Sequence, residues 1–214
     1  MIGLLLKDVL VNKKYLYITC GVTLFYIFYG IMLNNTNFFI SFLMLFGVMF
    51  ILSTFTYDDM AGWDMYALSM PTSKNKIILA KYILSLIFTF FAGIIAIIVN
   101  IITELIEKNT VTQEALIPIW TYIALALLFN SLQIPLVVKL GSDKARYAIL
   151  SILFIPSLLL MFIGRLGNID FLKQLEIILE KYSSLLLYLS PFGILIILFI
   201  SIKISIHIYS NKEF

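Results

Sequence analysis

Tyr82-Ile83-Leu84-Ser85-Leu86-Ile87-Phe88-Thr89-Phe90-Phe91-Ala92-Gly93-Ile94-Ile95-Ala96-Ile97-Ile98-Val99-Asn100-Ile101-Ile102-Thr103 contains no charged residue. As a helix this run is about 33 Å long, enough to cross the ~30 Å hydrocarbon core of a bilayer. Five comparable runs flank it: Tyr15–Leu33, Phe38–Thr56, Pro118–Val138, Tyr147–Ile163 and Ser184–Ile202. Only helices and closed barrels satisfy their backbone polar groups in lipid. Continuous apolar runs of this length exclude the alternating pattern of barrel strands. The whole chain agrees: of its 214 residues 62% are hydrophobic and 13% charged, and mean hydropathy is +1.04. A soluble domain carries ~25% charged residues and cannot hide this much apolar surface. A soluble enzyme, a nucleic-acid binder and a disordered chain are excluded. The reading is an all-α integral membrane protein with six transmembrane helices.

Six spans place both termini on one side, and the basic residues say which. Lys7, Lys13, Lys14, Lys74, Lys76, Lys81, Lys139, Lys144, Arg146, Lys203 and Lys212 fall on the side of the termini; Lys108, Arg165, Lys173 and Lys181 fall opposite. Positive charge accumulates inside, so both ends are expected in the cytoplasm, in a multi-pass protein of the cell membrane. The net charge of +3 is too small to suggest a nucleic-acid partner. No linker or repeat divides the chain, and residues 1–214 read as one transmembrane domain. The first run has no small-residue cleavage pattern and reads as an uncleaved span. Cys20, the lone cysteine, reads as a small buried apolar residue in that span. Ile200, Ile202, Ile204, Ile206 and Ile208 alternate as in a strand, but they continue an apolar run without a turn signal and read as the end of the sixth helix.

Three segments are not spans. Met1–Asn12 sets Ile2, Leu5, Leu6 and Val9 at helical spacing, as in a helix lying flat at the inner headgroups; a frayed start of the first span is the alternative. Between spans two and three, Asp58 or Asp59 can cap a helix, Met60, Trp63, Ala67 and Met70 form its stripe, and Pro71 stops it. That short amphipathic helix, bearing Trp63 and Tyr66, is either an interfacial anchor or a contact that a cytoplasmic partner grips. Before span six, Leu172, Leu175, Leu179 and Tyr182 make one face of an outer amphipathic helix, or of a solvated surface helix.

Much chemistry is missing. There is no phosphate-binding Gly-x-x-x-x-Gly-Lys-Ser/Thr loop, and His207 is the only histidine. Neither ATP hydrolysis by that route nor a metal site of the His-Glu-x-x-His type is available on the chain. None of the six apolar runs contains a carboxylate, which argues against an ion-coupled transporter. Asn100 in the third run and Asn130 and Gln133 in the fourth are polar, and either bond between helices or line a substrate path. Runs without charge offer little to a small ion or sugar. An amphipathic peptide or a lipid-like antibiotic suits them better.

The order of parts resembles the ABC-2 type permeases, and within them the compact bacterial branch that includes phenol-soluble-modulin and related peptide exporters. Gly3-Leu4-Leu5-Leu6-Lys7-Asp8 looks like that family's opening. Asp58-Asp59, Trp63 and Leu68-Ser69-Met70-Pro71-Thr72-Ser73-Lys74, followed by Ala80-Lys81-Tyr82, resemble its coupling segment, with Met70, Thr72 and Lys74 departing from the common Leu-Pro-Val-Ser-Arg ending. The resemblance implies a permease that pairs with a second copy or a sister permease and with two cytoplasmic ABC ATPase subunits. ATP and Mg would bind on those partners and not on this chain. It also implies that Asp58, Asp59, Trp63, Tyr66, Met70, Pro71 and Lys74 belong to the coupling helix. Two other classes remain: an ATP-independent immunity or sensor protein that sequesters peptides, and a membrane enzyme of unfamiliar site.

Overall fold

Apolar runs in this chain end at charges and turns, and helices form between those boundaries. The computed structural model describes residues 1–32, 36–69, 72–107, 116–165 and 183–212. These residues form eight helices: α1 (Ile2–Val11), α2 (Lys13–Met32), α3 (Thr36–Ala61), α4 (Trp63–Ser69), α5 (Lys74–Glu107), α6 (Leu116–Leu140), α7 (Ser142–Arg165) and α8 (Ser183–Ser210). There is no strand among the described residues. The alternating isoleucines lie in α8, as expected from the missing turn signal. The outer segment that includes Leu172–Tyr182 lies outside the described residues, as do Met70 and Pro71.

Five of the six apolar runs fall within a long helix, and the described part of the first, residues 15–32, falls within α2. Four helical stretches, Ile40–Ala61, Lys74–Leu105, Ile117–Leu140 and Tyr188–Ser210, are long and apolar enough to cross a membrane. The helices outrun the apolar runs, because backbone hydrogen bonding continues into the charged flanks. The runs themselves stay uncharged, but the helices that contain them carry charges at their flanks: Asp58 on α3, and Lys81 and Glu104 on α5.

The bundle is centred on α3, α5, α6 and α8. α6 packs most extensively on α8, α3 packs on α5 and α6, and α7 lies against α6 and α3. Phe50 of α3 stacks on Phe88 of α5 with ring centroids 4.0 Å apart. At Gly93 the backbone of α5 approaches α6 so closely that a Cβ would lie 2.7 Å from the Ile123 Cδ1. Small residues admit such contacts where van der Waals packing holds membrane helices together. Large apolar residues such as Phe28, Phe91, Phe162 and Phe199 remain exposed, as suits a surface solvated by lipid. Cys20 is also exposed on α2, a correction to its expected burial.

α1 departs from the expected stripe. Ile2, Leu6 and Leu10, four apart, are exposed, while Leu4, Leu5 and Val9 pack against the bundle together with buried Asp8 and Asn12. Asn12, between α1 and α2, ties the end of α1 to α3: its Nδ2 donates to the Asp8 carbonyl at 2.9 Å, and its Oδ1 accepts from Ser53 Oγ of α3 at 2.7 Å. α1 is therefore fastened to the bundle as a separate helix.

Candidate functional site

The charged ends of α1, α3 and α5 meet at one end of the bundle. Lys81 of α5 is 3% exposed, and its Nζ lies 2.6 Å from Asp58 Oδ2 and 3.0 Å from Asp8 Oδ2. Lys7 closes the ring by reaching Asp58 Oδ1 and lying 2.9 Å from Asp8 Oδ1. Two lysines thus alternate with two aspartates in a neutral quartet that ties three helices together. Burial on this scale is tolerable only with such pairing, since an isolated buried ion costs several kcal/mol. The two ammonium groups also lie over aromatic faces, Lys7 at 4.2 Å from the Trp63 ring centroid and Lys81 at 5.0 Å from that of Phe55.

The coupling segment is built beside this quartet. α3 continues through Asp58 and Asp59 to Ala61, and Gly62 takes φ of 59°, a left-handed conformation that glycine adopts at little cost. The chain then turns into the short helix α4. Asp58 and Asp59 therefore lie in the last turn of α3 and do not cap the coupling helix, which corrects that expectation. Asp59 instead caps a different helix: its Oδ2 accepts from the backbone N–H of Ser142, in the first turn of α7, at 2.7 Å. Gly141, with φ of 78°, makes the tight α6–α7 turn that brings this N–H to it.

α4 has an inner and an outer side. Trp63 is half-buried against Lys7, and Ala67 is buried in the core. Asp64 Oδ1 accepts from the Tyr209 hydroxyl of α8 at 2.9 Å, and its Oδ2 lies 4.0 Å from Lys212 Nζ. Lys74, at the start of α5, donates to the carbonyls of Ser210 and Lys212 at 3.0 and 3.3 Å. The segment is thus fastened to α1 on one flank and to the end of α8 on the other. Its outward side carries Met60, Met65 and Tyr66, which are 79%, 68% and 59% exposed. Met60 thus faces away from Ala67, with which the helical spacing had grouped it.

The polar residues of the bundle interior lie apart from this end. Gln133 Nε2 donates to the Val48 carbonyl at 3.4 Å, a bond between α6 and α3. Asn130 is fully buried, and neither its Nδ2 nor its Oδ1 has a hydrogen-bond partner among the described residues. Asn100 is buried on α5. A further polar layer was not singled out from the sequence: Tyr82 OH bonds to Ser201 and Ser205 of α8, and Ser201 Oγ donates to the Ser131 carbonyl. Asp8 and Lys81 stand in the family-like motifs, but their burial as ion-pair partners is visible only in the fold. The available signal was their helical spacing with inward-facing neighbours, Asp8 with the partly buried Leu4 and Leu5 and buried Asn12, and Lys81 with buried Ile77, Ile78 and Leu84.

Among the described residues, a helical bundle with four stretches long and apolar enough to cross a membrane, and a buried ion-pair cluster at one end, defines the class as a multi-pass membrane protein. The family model described as ABC-2 family transporter protein matches residues 3–210, and the chain belongs to that family as a permease component of an ABC transporter. No curated protein and no solved structure matches the chain.

Proposed function

We propose that the chain is the membrane-spanning subunit of an ATP-driven exporter, with six spans, both termini cytoplasmic, and a separate ATPase subunit that binds ATP and Mg. Family membership supports the permease role. The observation that carries the coupling role is the two-sided build of the segment from Asp58 to Lys74. Its inner side is fastened to α1 and α8, and its outer side offers Met60, Met65 and Tyr66 to a partner. A push on those side chains would be passed to three helices at once through the quartet. The substrate reading is an amphipathic peptide or a lipid-like antimicrobial moved outward, as in the peptide-exporter branch, and the working unit pairs this permease with a second copy or a sister permease.

The test is capture of an ABC ATPase from the native host by the tagged permease in detergent. Tyr66→Ala combined with Met65→Ala should weaken capture by about 2 kcal/mol or more, the range of an aromatic anchor at an interface, while leaving the melting temperature of the permease unchanged. Undiminished capture and transport by the double variant would remove the docking role from α4. Substrate-dependent protection from peptides without any ATPase would favour the sequestering immunity protein.

A further inference from the structure

A cleft of about 730 Å³, open on one side, lies between α2, α3, α6 and α7 and is lined by none of the four quartet residues. Its size falls within the ~300–1,000 Å³ typical of sites for small ligands. The walls are apolar, with Val48 and Leu52 of α3, Phe129 of α6 and Ile149 of α7 among them, and no carboxylate lines it. Along α3 the lining extends from Ser41 to Ser53, a rise of about 18 Å, comparable to one leaflet of the ~30 Å hydrocarbon core. One charged residue lines the cavity: Arg146, in the first turns of α7. Its Nη2 donates to Thr56 Oγ1 at 2.9 Å, and it has no carboxylate partner among the described residues. Thr56 and Arg146 place this end of the cavity beside the end of the bundle where Asp59 meets Ser142.

We infer that this cavity holds the substrate before transport, and that the substrate is a single-chain amphipath with an anionic head. The inference rests on the exporter reading and names the substrate class. The apolar tail lies along α3 and α6 toward Ser41, and the phosphate or carboxylate head meets Arg146 at the level of the inner headgroups. The charge and the shape point the same way. A guanidinium retains several N–H donors after one is given to Thr56, and its planar fork matches an oxyanion. A concave apolar slot one leaflet long fits a flexible tail, and the lone guanidinium at its end calls for a charged head that a purely apolar helix face would not supply.

The experiment uses the purified permease in nanodiscs without any ATPase, so that failure of binding is separable from failure of coupling. The probe is an alkyl phosphate with a diazirine in its tail, compared with the alcohol of the same chain. The expected result is preferential labelling of the wild type by the phosphate, about tenfold over the alcohol, with adducts on Val48, Leu52 or Phe129. Arg146→Gln should abolish the preference and Arg146→Lys should retain most of it, with both variants eluting as the wild type does. Met49→Trp, at the cavity wall, should reduce labelling by both probes. Equal labelling by phosphate and alcohol, an unchanged preference in Arg146→Gln, or adducts mapped elsewhere would overturn the inference. So would a co-purified diacyl phospholipid in the slot that the probe cannot displace, or a cross-link between copies at Leu150 that the probe does not prevent.

Discussion

Replacing Lys81 with methionine tests the quartet most directly. The change keeps the length of the side chain and removes a charge held 2.6 Å from Asp58 and 3.0 Å from Asp8. At an effective dielectric constant of ~20, each contact is worth about 6 kcal/mol of gross attraction. Most of this is offset by the desolvation of the lysine itself, so the expected net loss is that of removing one partner from a buried pair, ~3–5 kcal/mol. Asp8 bears most of it, since it is 2% exposed and cannot turn to solvent. Asp8→Asn alone should be damaging for the reciprocal reason. Combined, the two changes leave Lys7 and Asp58 as a neutral pair, so the double variant should lose about 2 kcal/mol less than the sum of the single losses. Unfolding titrated with SDS in mixed micelles, followed by helical circular dichroism, reads all four corners of the cycle. Losses that add to within ~0.5 kcal/mol would refute the idea that the four side chains act as one unit.

Asp59→Ala should cost ~0.5–2 kcal/mol in the same titration, through loss of the cap on α7; a full retention of stability would mean that water replaces the carboxylate at Ser142. In a Cys20→Ser background, which removes the exposed native thiol, a cysteine introduced at Ser73 should resist a membrane-impermeant maleimide in intact cells and react after lysis. Labelling of that position from outside would reverse the proposed orientation.

The long helices were legible because an uncharged run of about twenty residues has few alternatives in a chain this apolar. Their ends were harder to read. Helix α3 runs through Asp58 and Asp59 because nothing in an aspartate pair breaks a helix; the break falls at Gly62, whose positive φ is a property of the turn. An aspartate before an amphipathic stripe looks the same whether it caps that stripe or, as Asp59 does, a helix about eighty residues later. Trp63 and Tyr66 were both visible as aromatics on a short helix, but only the packing of α1 and α8 decides which one turns inward. The quartet was invisible for the same reason: Lys7, Asp8, Asp58 and Lys81 lie on three helices, and no local spacing relates them. The apolar slot depends on four helices, so its arginine read only as one more positive charge on the inner side.

The quartet also sets an order of events during synthesis. Asp8 leaves the ribosome 73 residues before Lys81, an interval of about 4–15 s at ~5–20 residues per second. Until then α1 can rest at the bilayer surface on Ile2, Leu6 and Leu10, its carboxylate still hydrated. Only when α5 is being made does the missing ammonium arrive, so the first helix made is not locked in place until the fifth has begun.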